Sequence, residues 1–416
     1  MATKSEHRHG LRVRRWTGGA LAAIGLSAIA GCGSSRPVLT DAQLEARSAE
    51  EETATHEIFT AAIGRLVARA SREAAESKDG SPPVCDILAM SGGGDYGAFG
   101  AGVLVGWGNT PDPARRRPDF DAVTGVSTGS LLAPFAYVGT DAACKVVENF
   151  YRNPKKDWVI DRGLLFFMPW NASFMELTGL NRDIQKAIDK QMIEQMAEQS
   201  RKGKVLAVSA TNLDLARQQY WDLGVQAETA AAQGNPELVQ RYLLASAAIP
   251  AVFPPVAIDG FLYADGGVTA NVFLRLDPHS PDAFIQRYLK EHPGGKLPKI
   301  RYWVIINNQL KQPPKTIQPK WPAVVGPSLS IAIRSATIDE VRWLATEADY
   351  ANCALHTDIE VWVTAIPDQW RPPVPGDFQK KTMDSLSDLG EKMGANPDTC
   401  WTLWSRPLAP ARHEAN

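Results

Sequence analysis

Val84-Cys85-Asp86-Ile87-Leu88-Ala89-Met90-Ser91-Gly92-Gly93-Gly94-Asp95-Tyr96-Gly97 is followed further on by Phe120-Asp121-Ala122-Val123-Thr124-Gly125-Val126-Ser127-Thr128-Gly129-Ser130. Each stretch is a short apolar run, then a glycine-rich turn. Each then enters a run of small and apolar residues, Ala98 to Trp107 after the first and Ser130 to Val138 after the second. Short apolar runs bounded by glycine read as buried strands, and the longer runs behind them as helices. Working outward, Val205 to Ala210 and Ile300 to Asn307 are further strand candidates. Asn181 to Ser200 reads as one amphipathic helix, with Ile184, Ala187, Ile188, Met192 and Met196 on its apolar side. Leu329 to Ala351 reads as another helix. Strands alternating with helices predict an α/β domain whose sheet is largely parallel and covered. No internal repeat is present. Pro and Trp become dense after about Gln309, which predicts long surface loops there.

The same turns carry the candidate chemistry. Gly125-Val126-Ser127-Thr128-Gly129 is a G-x-S-x-G between an apolar strand and an apolar helix, the context of a nucleophile elbow. The flanking glycines let the strand-to-helix bend close tightly. The Ser127 oxygen is then pushed out at a helix N-terminus, where backbone N–H groups favour developing negative charge. Gly92-Gly93-Gly94 exposes N–H donors with no side chain in the way, which suits an oxyanion hole. Gly92, Gly94 and Gly97 also satisfy the G-x-G-x-x-G pattern of dinucleotide binding, and a plain β–α turn is a third reading. Asp265-Gly266-Gly267, after the apolar Phe261 to Ala264, puts a carboxylate at a strand end. On its own it reads first as a hairpin turn. No CxxC and no histidine cluster points to a metal. Of the histidines, His279 in Asp277-Pro278-His279-Ser280 is the best spare base, though a solvated loop residue is its simpler reading.

Taken in order, Ser-Gly-Gly-Gly, Gly-x-Ser-x-Gly and Asp-Gly-Gly resemble the patatin-like phospholipases. Ala245 to Pro255 resembles that family's run before its acidic residue. Val268 to Asn271 resembles the run after it, and Ser209 to Leu213 an interior strand. The resemblance covers residues 84–275 well and extends less securely towards residue 350. It implies a three-layer α/β/α fold with a mostly parallel central sheet. It also implies a Ser127–Asp265 dyad, an oxyanion hole at Gly92, Gly93 and Gly94, and no cofactor. The implied substrate is a membrane lipid, cleaved at its carboxylic ester by phospholipase A-type or lysophospholipase/esterase action. The family's glycine turn usually carries Arg or Lys two residues after its third glycine. Here Tyr96 stands there, preceded by Asp95. That departure leaves acyl-ester hydrolysis as the implied reaction and weakens the case for a phosphate head group. A lipoprotein that binds lipid or a protein partner without turnover is the alternative reading.

At the other end of the chain, Arg12, Arg14 and Arg15 precede an apolar, small-residue stretch from Gly18 to Ala30. It is shorter than the ~20 residues a spanning helix needs, and its layout is that of a signal peptide. Ile29-Ala30-Gly31-Cys32 resembles the lipobox of bacterial lipoproteins, which implies lipidation at Cys32. The expected location is the cell envelope, lipid-anchored, with the outer membrane favoured and the catalytic domain periplasmic. The expected organisation is a signal peptide over 1–31, a tether and spacer helix over 32–80, a catalytic domain over 81–365 and a C-terminal extension over 366–416. Lys78 to Pro83 marks the break after the spacer helix. Gly163 to Trp170 reads first as core, with an acyl pocket or membrane contact as the second reading.

Composition bounds the rest. The 416 residues are 44% hydrophobic and 22% charged, which excludes disorder for most of the chain. Residues 1–31 hold Lys4, Arg8, Arg12, Arg14 and Arg15 against Glu6, so without them the formal charge moves from -2 to -6. No bulk electrostatic case for nucleic acid follows, although a local basic patch stays possible. With Cys32 acylated, Cys85, Cys144, Cys353 and Cys400 remain, and export would permit disulfides. A Cys353–Cys400 bridge would pin the C-terminal tail. The sequence leaves the oligomeric state open.

Overall fold

The computed structural model describes residues 36, 38–158, 160, 161, 173, 175, 176, 178–273 and 284–405. The signal peptide, Cys32, the Gly163 to Trp170 run and His279 lie outside the described residues. Helix α1 (Asp41–Glu76) is followed by β1 (Val84–Met90), α2 (Gly97–Gly108), β2 (Ala122–Val126), α3 (Thr128–Val138) and α4 (Asp141–Arg152). A small ribbon, β3 (Ile160–Asp161) with β4 (Met175–Glu176), precedes α5 (Thr178–Ala187) and α6 (Lys190–Arg201). Then come β5 (Val205–Asn212), β6 (Arg217–Asp222), α7 (Leu223–Gln233), α8 (Glu237–Ser246), β7 (Val256–Ile258) and β8 (Phe261–Asp265). Last are α9 (Phe284–Glu291), β9 (Lys299–Gln309), α10 (Trp321–Leu355), β10 (Asp358–Ile366), α11 (Lys380–Gly394), α12 (Pro397–Cys400) and β11 (Thr402–Leu403).

The main sheet runs β11-β10-β9-β1-β2-β5-β8-β7, with β6 also paired to β5. Its middle, from β10 to β5, is parallel, and β6, β7, β8 and β11 are antiparallel additions. Alternation along β1 builds the two covered faces. Leu88 and Met90 join a core with α2, α3 and α11, while Ile87 and Ala89 join one with α1, α9 and α10. The fold is therefore the expected α/β/α sandwich around a mostly parallel sheet.

Three local expectations change. The helix expected over 181–200 is two helices, because Asp189 leaves helical geometry and caps α6 by accepting the Met192 N–H at 2.9 Å. The helix expected from Leu329 begins at Trp321 and continues to Leu355. The long surface loops expected after Gln309 are present as residues 310–320, between β9 and α10, and 367–379, between β10 and α11. The Cys353–Cys400 bridge is not formed. Cys400 is buried with the α2–α11 core, whereas Cys353 is exposed on α10, which covers the opposite face of the sheet.

Residues 366–405 are seated deeply rather than appended. Gly102 and Gly106 on α2 meet Gly390 and Gly394 on α11 with the backbones almost touching. A methyl group at Gly106 would sit 2.1 Å from Glu391 O, and one at Gly390 would sit 2.2 Å from Phe99 O. Alanine is favoured over glycine in a helix by about 1 kcal/mol. Here the clash with main-chain oxygen outweighs that gain. Gly106→Ala is expected to destabilise the protein by about 2 kcal/mol, read as a lower urea midpoint with an unchanged slope. An unchanged or higher midpoint would show that the two helices can move apart.

Candidate active site

The ends of two strands meet head-on beside β5. β2 pairs with one edge of β5 as far as Val126 opposite Ser209. From Ala207 to Asn212 the other edge of β5 is taken by β6. β8, which pairs with Ala210 to Asn212 and runs the opposite way, must therefore take the β2 edge, and it ends with Asp265 opposite Ala210. Val126 and Asp265 thus face each other as consecutive rungs on one strand. Both chains must turn off at once, and glycine makes that possible. A methyl group at Gly266 would sit 2.6 Å from Ser209 O and 2.8 Å from Val126 Cγ1, and one at Gly125 would sit 2.3 Å from Gly129 O.

Ser127 stands at this junction as the N-cap of α3, with φ 53 and ψ −124. A non-glycine residue at positive φ is strained and is held there by its surroundings. Here the Ser127 N–H donates to Ser246 Oγ at 3.0 Å, and Ser130 Oγ donates to Ser127 O at 2.6 Å. Asp265 is buried, and its Oδ1 accepts the Gly267 N–H at 2.8 Å. Its Oδ2 is buried with no hydrogen-bond partner. Burial pushes the Asp265 carboxyl up to about 6, opposed by the adjacent Ser127 hydroxyl and the Gly267 N–H. The hydroxyl thus lies against the carboxyl without a fully aligned hydrogen bond, a geometry common before substrate binds. Among the described residues no histidine takes this place: His56 lies on α1, His292 stacks on Tyr288 at 4.4 Å and His356 ends α10.

The glycine turn is brought to the same point. A methyl group at Gly92 would lie 2.9 Å from Ser127 Cβ. Its N–H, however, is already committed to Asn271 Oδ1 at 3.0 Å. Gly92 is therefore not an oxyanion donor, which corrects the expectation of three. The N–H groups of Gly93 and Gly94 have no such partner among the described residues. Gly94 has φ +61, a conformation that glycine adopts at no steric cost. Ser91 and Asn307 brace the turn from below: Asn307 N donates to Ser91 Oγ at 2.9 Å and Asn307 Nδ2 to Ser91 O at 2.8 Å. Gly97 is spent on packing, since a methyl group there would strike Thr128 Oγ1 at 2.1 Å.

Asp95 and Tyr96, which replace the expected cation, both have structural partners. Asp95 is buried and its Oδ2 accepts the Phe378 N–H at 2.9 Å. Burial pushes its carboxyl up to about 7. The Tyr96 ring meets Trp370 edge-on at 5.5 Å.

Reading the sequence singled out Ser127, Asp265 and the glycines but not their supports. Asn271 receives Gly92, donates Nδ2 to Thr337 Oγ1 at 2.8 Å, and has its own N–H held by Glu340. Nothing in local spacing marks this contact, because Asn271 lies 179 positions from Gly92. Asn271→Ala is expected to lower kcat about 10- to 100-fold, because the turn loses its register with Ser127. KM should stay within about twofold. A mainly KM effect would show that Asn271 binds substrate instead.

Residues 88–276 match the model of the family described as patatin-like phospholipase. This segment is a patatin-like phospholipase domain, which supports a lipid acyl hydrolase at the family level. An uncharacterized protein of Acanthamoeba polyphaga mimivirus is 25% identical over 224 residues, covering 53% of this chain and 71% of that protein. VipD from Legionella pneumophila is similar at 12% identity and a TM-score of 0.35, over 79% of this chain and 70% of that chain.

Proposed function

We propose that the protein hydrolyses carboxylic esters of membrane lipids through a Ser127–Asp265 dyad, as a phospholipase A-type or lysophospholipase/esterase enzyme. The observation that carries this reading is the buried, unpartnered Asp265 Oδ2 beside a hydroxyl held on a strained bend. In the first step Ser127 Oγ attacks the ester carbonyl and its proton passes to Asp265. The negative oxygen of the tetrahedral intermediate is met by the N–H groups of Gly93 and Gly94. Collapse expels the alcohol, which takes the proton, and leaves an acyl-Ser127. Water, deprotonated by Asp265, then releases the fatty acid. Labelling by a fluorophosphonate tests the nucleophile. Reaction at Ser127 supports turnover, whereas an unreactive folded protein favours the alternative of a lipoprotein that binds lipid without cleaving it. Mass spectrometry of products from mixed lipids would identify the head group and acyl position.

The N-terminal sequence further supports lipid anchoring at Cys32 in a bacterial envelope, favouring the outer membrane. Metabolic palmitate labelling of the wild type beside Cys32→Ser tests that anchor. Equal labelling of both would refute it.

A further inference from the structure

Helix α10 has two unlike halves. Its second half buries Val341, Leu344, Ala345, Ala348 and Ala351 against the sheet. Residues 323–336 include no buried position, although the run from Trp321 to Ile333 contains no charge. Val324, Val325, Ser328, Ile331 and Ala332 recur at helical spacing along one exposed side. Val325 is 47% exposed and Ile331 50%. Trp343, three turns beyond Ala332 and 66% exposed, continues that side.

The chain leading into the helix carries only basic charges, with acids returning at Asp339, one turn before Trp343, and with Asp368 accepting the Lys311 N–H. No Asp or Glu occurs between Tyr302 and Ile338, while Lys311, Lys315 and Lys320 are exposed just ahead of the helix. This cationic border stands out in a chain whose formal net charge is -2. An apolar strip with a basic edge and an exposed tryptophan is complementary to a bilayer surface with anionic head groups. The strip is also coupled to the candidate site. Thr337, six residues or about 9 Å along the helix from Ile331, accepts from Asn271, and Asn271 holds Gly92. No helix among the described residues is long and apolar enough to cross a membrane.

We infer that the first half of α10, with Lys311, Lys315 and Lys320, is the surface by which this protein docks on an anionic lipid bilayer, presenting the Ser127 site to it. The inference rests on the proposed lipid substrate, because an ester that stays in the bilayer requires the site to be held at its surface.

Vesicle flotation of the full chain tests it, with Cys32→Ser to remove the anchor and Ser127→Ala to keep the lipid intact. Binding is expected to phosphatidylglycerol/phosphatidylcholine vesicles and to be much weaker with phosphatidylcholine alone. Adding Val325→Glu and Ile331→Glu should lower binding at least about tenfold, and each Lys→Gln change about fivefold. In the Ser127 background, the Val325→Glu/Ile331→Glu protein should hydrolyse a soluble short-chain ester like its parent and vesicle lipid about tenfold more slowly. Equal vesicle binding with and without the two glutamates would overturn the inference. So would a solution dimer that they convert to monomer, which would assign the strip to a second copy of the chain. Vesicle binding that depends on α10, in a protein that cleaves no ester, would sink the hydrolase reading and leave the docking surface standing.

Discussion

Ser127→Ala is expected to reduce ester hydrolysis by about 10⁴-fold or more, with an unchanged far-UV spectrum. The hydroxyl is the atom that forms and breaks the acyl bond, so no neighbour can substitute for it. Ser130 is fully buried and its Oγ is engaged with Ser127 O. Thr128, the next residue, bonds Tyr151 inside the protein. The change also relieves little strain, because alanine occupies the same unfavourable backbone region at φ 53. Stability should therefore stay close to that of the wild type. Kinetics on a chromogenic short-chain ester, run beside a denaturation curve, make the measurement. Retention of more than a tenth of wild-type activity in the folded variant would remove Ser127 from the reaction.

Asp265→Asn should be nearly as inactive, but unlike Ser127→Ala it should gain stability above about pH 6. The base must be ionised to accept the Ser127 proton. Wild-type kcat/KM is accordingly expected to rise with pH around about 6, where burial places this carboxyl. The ordinary value is 3.8. A raised folded-state pKa means that the native protein holds this proton more tightly than the unfolded chain does. The stability linked to it is complete below about 3.8 and lost by the time the pH has risen through about 6. At pH 8 the wild type therefore carries a buried carboxylate that the amide variant lacks. Asp265→Asn should be more stable there, by up to about 3 kcal/mol, with the difference closing towards pH 4. Denaturant melts at pH 8 and pH 4 give the comparison. A variant less stable than wild type at pH 8 would show that the carboxylate is held by interactions stronger than its desolvation.

Much of this site was legible along the chain because its chemistry sits on turns. Gly125 and Gly129 flank Ser127 in sequence as they do in space, and Gly266 and Gly267 follow Asp265 directly. The alternation of apolar runs likewise indicated the covered parallel sheet. What could not be read locally was which donors remain free. Gly92 and Gly94 are alike in sequence, yet the N–H of Gly92 is consumed by Asn271, which arrives from beyond β8. The same holds for Cys353 and Cys400, whose separation in space depends on which face of the sheet each helix covers.

Residue type and spacing alone determined that this chain forms strand–turn–helix units and where a hydroxyl and a carboxyl are set on glycine bends. Those features follow from local sterics and hydrophobic period, which neighbouring residues dictate. Only the tertiary structure decided that β2 and β8 end against each other along β5, bringing Ser127 to Asp265, and that α10 buries no residue over 323–336. Those outcomes depend on strand order and on competition between distant segments for the same edge or face, and no local stretch of sequence carries that information.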